Sequence, residues 1–168
     1  VEVTLNKDRP LNEYKSVLSS VYEDVIELND VSSKLMQLSK ISSDGKNIKF
    51  EKFRVDEMVY QVKASVLKNY ENQIIHINVS DLPDTEEKLF FNGNEQLIKT
   101  SITNILENAV KYGNQQPVTI SLTIMDNLEI VIEDKGIGIS QKDIGLIFEP
   151  FYRSTESVKI KGSGIGLS

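Results

Sequence analysis

The stretch NILENAVKY, residues 104–112, decides how the rest of the chain is interpreted. Its apolar residues recur at helical spacing, which predicts an amphipathic helix. Asn104 and Asn108 lie four residues apart on one face of this helix, with Lys111 one turn further on. Asparagine is a mediocre helix former because its amide competes for backbone groups. Two amides and an ammonium in one stripe could bind Mg²⁺ and phosphate, although a solvated polar face explains this stretch alone equally well.

Composition limits the class of protein. The chain has 168 residues, of which 39% are hydrophobic and 26% charged, which suits one or two domains with a real core. A net charge of −6 argues against a nucleic-acid binder, which would carry a basic face. The absence of cysteine excludes disulfides, thiol chemistry and cysteine-ligated zinc. No apolar run approaches the roughly 20 residues of a membrane span, which favours an exposed cytoplasmic-type domain. Because the first residue is Val1 and not Met, we expect a piece of a longer protein.

The chain divides into a helical segment and a mixed segment. Apolar residues at spacings of three and four predict a long helix over residues 12–41, with the stripe of a hairpin or bundle between chains. Residues 42–45 are predicted to be a short hinge. The second unit begins at Lys46, and the sum predicts an α+β fold, a two-layer sandwich with helices on one face of a mixed sheet. Its predicted strands are 49–53, 74–79, 89–91, 118–125 and 128–133, and its predicted helices are 55–70 and 95–112.

Two glycine clusters follow the last predicted strand. In DKGIGI, residues 134–139, glycine allows the backbone to approach a ligand closely, and Asp134 could accept a hydrogen bond from an exocyclic amine such as that of adenine. In GSGIG, residues 162–166, successive backbone N–H groups could form an anion nest for phosphate. The second cluster lacks the spacing of a Rossmann fingerprint or a P-loop. An ordinary turn and a flexible loop are the alternatives for the two clusters.

The segment FEPFYR, residues 148–153, lies between the glycine clusters. Two phenylalanines flanking a proline predict a loop pinned by aromatic anchors, or a satellite hydrophobic cluster. Arg153 follows directly and could pair with a phosphate in a bidentate way.

In this order, the four elements resemble the ATP-binding domain of bacterial sensor histidine kinases, which is of the gyrase, chaperone, histidine kinase and mismatch-repair type. The matches are to the N box at 104–112, the first glycine box at 134–139, the F box at 148–153 and the second glycine box at 162–167. Any one match is weak evidence, whereas four in the right order and spacing are specific.

The resemblance also covers the start of the chain. The predicted helix 12–41 is similar to the second helix of the family's dimerisation and phosphotransfer hairpin. The resemblance therefore implies that residues 1–43 are part of that hairpin without its phosphoacceptor histidine. It implies that residues 46–168 are a C-terminally truncated ATP-binding catalytic domain.

The resemblance implies ATP and Mg²⁺ as cofactors and a catalytic set of Asn104, Lys111 and Arg153. Asn104 and Asn108 would hold the Mg²⁺ that bridges the triphosphate. Lys111 would face the phosphates, and Arg153 would lie in a mobile lid near the γ-phosphate. Tyr112 would face the nucleotide edge.

The remaining implied contacts to the nucleotide come from the glycine boxes. Asp134 would bind the adenine amine, and Gly136 and Gly138 belong to the same base-binding loop. The second box would cradle phosphate through its backbone amides, with the implied residues Gly162, Gly164, Gly166 and Leu167.

Asn104 bears on the kind of reaction. Hydrolysing relatives of the gyrase, chaperone and mismatch-repair type place a glutamate at this position to activate water. An amide cannot act as a general base, so the residue favours a kinase over a hydrolase. Glu107 is rotated away from the asparagine stripe, and we interpret it as a solvated or structural residue.

His76 is the single histidine of the sequence. It lies in an alternating strand and lacks the family's H-E-L-R-T-P-like surroundings, so we interpret it as a surface residue, and autophosphorylation is not expected without the missing H box. The resemblance implies a response-regulator receiver domain as partner and a homodimer through the hairpin. Nucleic acid is not expected, and membrane attachment is expected only through a missing N-terminal part of an inner-membrane sensor. The alternatives are a nucleotide-binding or dimerisation module without kinase activity, and a related ATP-hydrolysing domain.

Overall fold

The computed structural model describes residues 10–44, 48–79, 85–124, 127–155, 160 and 162–168. The chain splits into two compact units, Val1–Gly45 and Lys46–Ser168. The first unit contains helix α1, Leu11–Asp44. The long helix predicted over residues 12–41 is confirmed. The hinge predicted at 42–45 is wrong for residues 42–44, because α1 continues through Asp44. Gly45 lies outside the described residues.

Helix α1 exposes a row of apolar side chains at heptad-like spacing. Between 42% and 69% of each of these side chains is exposed in Leu11, Leu18, Val25, Leu28 and Leu35. Leucine and valine repeated in this way are typical of a helix that packs against another helix.

The second unit contains a three-stranded mixed sheet and a separate two-stranded sheet. The strands are β1 Glu51–Arg54, β2 Ile75–Val79, β3 Phe90–Gly93, β4 Val118–Ile124 and β5 Leu128–Glu133. In the mixed sheet, β2 pairs in parallel with β4, and β4 pairs antiparallel with β5. In the smaller sheet, β1 and β3 are antiparallel. The predicted strand at 89–91 begins one residue later than expected, because Glu86–Leu89 forms a 3₁₀ turn.

Two helices cover one face of the mixed sheet: α2, Val55–Asn69, and α3, Glu95–Tyr112. Met58 and Val62 of α2, Leu106 of α3, and Ile120 and Leu122 of β4 are all fully buried. These side chains belong to one continuous core, which confirms the predicted two-layer α/β sandwich.

Helix α3 begins at Glu95, directly after Asn94. The side-chain Oδ1 of Asn94 accepts a hydrogen bond from the N–H of Leu97 at 2.9 Å, which caps the helix. The buried positions Ile102, Leu106, Ala109 and Val110 recur at spacings of one, three and four. The opposite face is therefore free to carry polar residues.

In the described ranges, no helix combines the length and the apolar character that a bilayer crossing requires.

Candidate nucleotide site

The second glycine loop lies along the polar side of helix α3. A Cβ built on Gly166 would lie 3.8 Å from the Cβ of Asn104, and one built on Gly162 would lie 4.0 Å from the hydroxyl of Tyr112. Asn104 and Tyr112 are about 12 Å apart along a helix that rises 1.5 Å per residue. Asn108 lies between them, so the loop borders the stripe that carries both asparagines.

The first glycine loop contacts the C-terminal end of the same helix. The N–H of Ile137 donates to the carbonyl of Tyr112 at 3.3 Å. The Oδ1 atom of Asp134, the residue directly after β5, accepts the N–H of Gly136 at 2.8 Å. A Cβ on Gly136 would lie only 1.9 Å from the carbonyl oxygen of Tyr112, so glycine permits this close approach.

Gly138 has a positive φ of 69°. A Cβ built on it would meet nothing within 4 Å. A side chain at this position would therefore point into open space. Asp134 is exposed at the start of the same loop.

The F box is hydrogen-bonded to the second glycine loop. The N–H of Phe151 donates to the carbonyl of Gly164 at 2.8 Å. Phe151 has a φ of 67° and Gly164 one of 71°. A Cβ on Gly164 would lie 2.8 Å from the carbonyl oxygen of Tyr152, so both the conformation and the space require glycine here.

A buried carboxylate connects Tyr152 of the F box to Ser140, the residue that follows the first glycine box. Asp143 accepts hydrogen bonds from the hydroxyls of Ser140 and Tyr152, each at 2.7 Å. These hydroxyls lower the pKa of Asp143, that of Ser140 most strongly. The same contact raises the pKa of Tyr152.

Arg153 is partly buried, and its Nη2 donates to the carbonyl of Ile160. The structure thus joins Arg153 to the chain between the F box and the second glycine box. Its contact with the γ-phosphate stays a prediction.

Lys111 faces two partners beside the site. Its Nζ lies 3.5 Å from the Glu107 carboxylate, and it also interacts with the hydroxyl of Tyr70 at the end of α2. Burial lowers the pKa of Lys111, but the two partners outweigh burial and raise it overall. Lys111 therefore remains protonated at neutral pH. Glu107, interpreted from the sequence as solvated or structural, is a half-buried counter-ion of Lys111.

The side chains of the asparagine stripe suit a hard cation. Among the described residues, no cluster of three or more histidine, cysteine or acidic side chains could hold a metal ion. The amide oxygens of Asn104 and Asn108, both partly exposed, are oxygen ligands of the type Mg²⁺ prefers. Two amides do not complete an octahedral shell, and phosphate and water oxygens would supply the rest.

The structure thus brings together Asn104, Tyr112, Asp134 and the glycines of both boxes around one end and one face of α3. Leu167, partly buried, follows the second box. His76 lies elsewhere, exposed on β2 opposite Thr119.

Reasoning from the sequence missed the partners of Lys111 and of Asp143. The pairing of Glu107 with Lys111 was available as an i,i+4 pair. The spacing of Ser140 and Asp143 matches a capping pattern, which could have indicated their contact. Tyr70 and Tyr152 reach their partners through the fold, and no local pattern indicates those contacts.

Comparison with known proteins agrees with this arrangement. The family model described as histidine kinase-, DNA gyrase B-, and HSP90-like ATPase matches residues 93–168. The solved structure of the mycobacterial sensor histidine kinase MprB is 26% identical with a TM-score of 0.58, covering 70% of this chain and 73% of that one. Residues 93–168 resemble the catalytic domain of sensor histidine kinases in sequence and fold.

Two further similarities extend over more of the chain. The heme sensor protein HssS of Staphylococcus saprophyticus is 28% identical over 163 residues, which are 94% of this chain and 34% of HssS. The structure of histidine kinase ThkA in complex with response regulator protein TrrA is 17% identical with a TM-score of 0.67, covering 88% of this chain and 42% of that one, and shows likeness of fold. The chain spans about a third of the length of the curated relatives it matches.

Proposed function

We propose that this chain binds ATP together with Mg²⁺ and presents the γ-phosphoryl group to a histidine outside its 168 residues. The observation that carries the proposal is the meeting of both glycine loops at helix α3. The first loop contacts Tyr112, and the second lies beside Asn104. This arrangement combines open space beside Gly138 with backbone amides along an amide-bearing helix face.

Each residue then has a defined role. Asp134 accepts the adenine amine, and the amides of Gly162, Gly164 and Gly166 bind phosphate. Lys111 neutralises phosphate charge, and Arg153 adds a second cation from the loop after the F box. Asn104 and Asn108 would hold Mg²⁺, which when bound neutralises the charge of the triphosphate oxygens.

The reaction is an in-line phosphoryl transfer. The imidazole nitrogen of the acceptor forms a bond to the γ-phosphorus while the bond to the β,γ-bridging oxygen breaks, and ADP leaves. The protein contributes positioning and charge neutralisation, which account for most catalysis of this kind. Asn104 supports transfer to histidine over hydrolysis, because its amide cannot take a proton from water.

His76 does not fit the role of acceptor. It is exposed on β2, a strand of the mixed sheet, whereas the site lies at α3 and the glycine loops. We propose that the acceptor belongs to a helical hairpin that includes α1. The exposed apolar stripe of α1 supports pairing with a second copy of the chain. A response-regulator receiver domain is the proposed next recipient of the phosphoryl group, which the ThkA complex supports by analogy.

Two assays on the same sample test the proposal. With Mg²⁺ and γ-labelled ATP, we expect nucleotide binding without steady release of free phosphate. A histidine-bearing hairpin from a sensor kinase, added in trans, should then acquire an acid-labile label. Steady phosphate release without a hairpin would favour an ATP-hydrolysing domain instead. Absence of nucleotide binding would refute both functions.

A further inference from the structure

Asp143 is the one charged side chain that is buried among the described residues, with 5% of it exposed. A carboxylate is costly to bury unless donors satisfy its oxygens. Ser140 donates to Oδ2 and Tyr152 to Oδ1, each at 2.7 Å, so each oxygen has its own hydroxyl donor. Charge-assisted hydrogen bonds of this kind are about twice as strong as neutral ones.

The backbone around Asp143 holds the carboxylate in place. The N–H of Asp143 donates to the carbonyl of Ser140 at 2.9 Å. The carbonyl of Asp143 accepts the N–H groups of Leu146 at 2.8 Å and of Ile147 at 3.0 Å. The carboxylate is therefore presented from an ordered turn, and Tyr152 is the more distant group that docks on it.

Tyr152 lies between the two residues that connect the F box to the rest of the site. On one side, Phe151 donates to Gly164 of the second glycine loop. On the other, Arg153 donates to Ile160. Tyr152 therefore lies in the short segment that contacts both the second glycine loop and Ile160.

We propose that Asp143 is a positioning residue that docks Tyr152 and thereby holds the second glycine loop and Arg153 in their phosphate-binding arrangement. The proposal rests on the proposed function. It assigns to Asp143 no contact with the nucleotide. Adenosine, which would use Asp134 and the open space beside Gly138, should be bound almost independently of the Asp143–Tyr152 contact.

The test compares nucleotides that differ in phosphate number. Calorimetry with a non-hydrolysable ATP analogue, ADP and adenosine is carried out on the wild type, Asp143→Asn and Tyr152→Phe. We expect the ATP analogue to bind about tenfold more weakly to either variant, the size of one charge-assisted hydrogen bond. Adenosine affinity should change by less than about twofold, and the double variant should be no weaker than the worse single one.

Two controls make the outcome decisive. Glu129→Gln removes one exposed carboxylate from β5 and should leave all three affinities unchanged. If Asp143→Asn does not fold, Ser140→Ala replaces it in the test, because it removes one hydroxyl donor to Asp143 without altering a charge.

The inference and the proposed function fail in different ways. Equal losses for all three nucleotides, or no loss in any variant, would overturn the positioning role while leaving nucleotide binding intact. A wild type that binds none of the nucleotides would overturn the proposed function itself, and the inference with it.

Discussion

Replacing Gly136 with alanine is a severe test of how the first glycine loop meets helix α3. The new Cβ would lie 1.9 Å from the carbonyl oxygen and 2.6 Å from the carbonyl carbon of Tyr112, and 2.8 Å from Oδ1 of Asp134. Non-bonded heavy atoms prefer separations of roughly 3.5 Å or more. Two of the three atoms belong to the helix backbone, so no side-chain rotation relieves the overlap.

The expected cost follows from what must move. The loop has to shift away from α3, which breaks the hydrogen bond from Ile137 to Tyr112 and disturbs the one from Gly136 to Asp134. Overpacking of this kind costs about 1–3 kcal/mol, and we expect the upper end because the overlap is with backbone. The loss of stability cannot exceed the free energy needed to detach the loop from α3, because beyond that value the loop would open locally while the rest of the domain stays folded.

Gly145→Ala is the matched control, since a Cβ there would meet nothing within 4 Å and the backbone φ is not positive. Denaturant unfolding should show Gly136→Ala less stable by about 2–3 kcal/mol. Gly145→Ala should be unchanged or more stable by up to about 1 kcal/mol, because alanine restricts the unfolded chain. The Gly136 variant should also lose adenosine binding. Equal stability and equal adenosine affinity in the two variants would refute the close approach of this loop to α3.

Three other substitutions probe the core, an ion pair and Lys111. Leu122→Ala should lower the free energy of unfolding by about 2–5 kcal/mol in a denaturant titration, because Leu122 is fully buried. Arg54 lowers the pKa of Asp56 below 3.8, so the pair stabilises the fold above that value and the effect is lost as the pH falls through the folded pKa. Asp56→Asn should therefore destabilise by about 0.5–1 kcal/mol at pH 7 and by progressively less in acid, and a pH-independent loss would contradict this. Glu107→Gln should strengthen ADP binding about threefold by calorimetry, because it removes a carboxylate that competes with phosphate for Lys111, and weaker binding would contradict this.

Much of the fold was predictable because its signals are local. Helix α3 was predicted with the bounds Glu95–Tyr112 that the structure has, since its apolar period is strong and Asn94 precedes it as a cap. Strands β4 and β5 were also predicted from a local signal, because apolar residues alternate along β4 and β5 is rich in isoleucine. The structure pairs these two strands antiparallel. The 3₁₀ turn before β3 was missed, because a single turn has no period to detect.

The candidate site was predictable in its parts and less so in its contacts. Four short motifs indicated which residues converge, and the structure brings the glycine loops to α3. The distance between Gly164 and Tyr152, or between Lys111 and Tyr70, depends on how distant segments pack. No pattern in the sequence specifies such distances, so the docking of Tyr152 on Asp143 became visible only in the structure.

The most direct test of the account is a titration of the chain with a non-hydrolysable ATP analogue in the presence and absence of Mg²⁺, repeated with Asn108→Ala. The account predicts one binding site, at least about tenfold tighter with Mg²⁺, and an Asn108→Ala variant that loses the gain from Mg²⁺ but keeps the metal-free affinity. Binding that Mg²⁺ does not change, or equal losses with and without Mg²⁺ in the variant, would contradict the placement of the triphosphate on the asparagine face of α3.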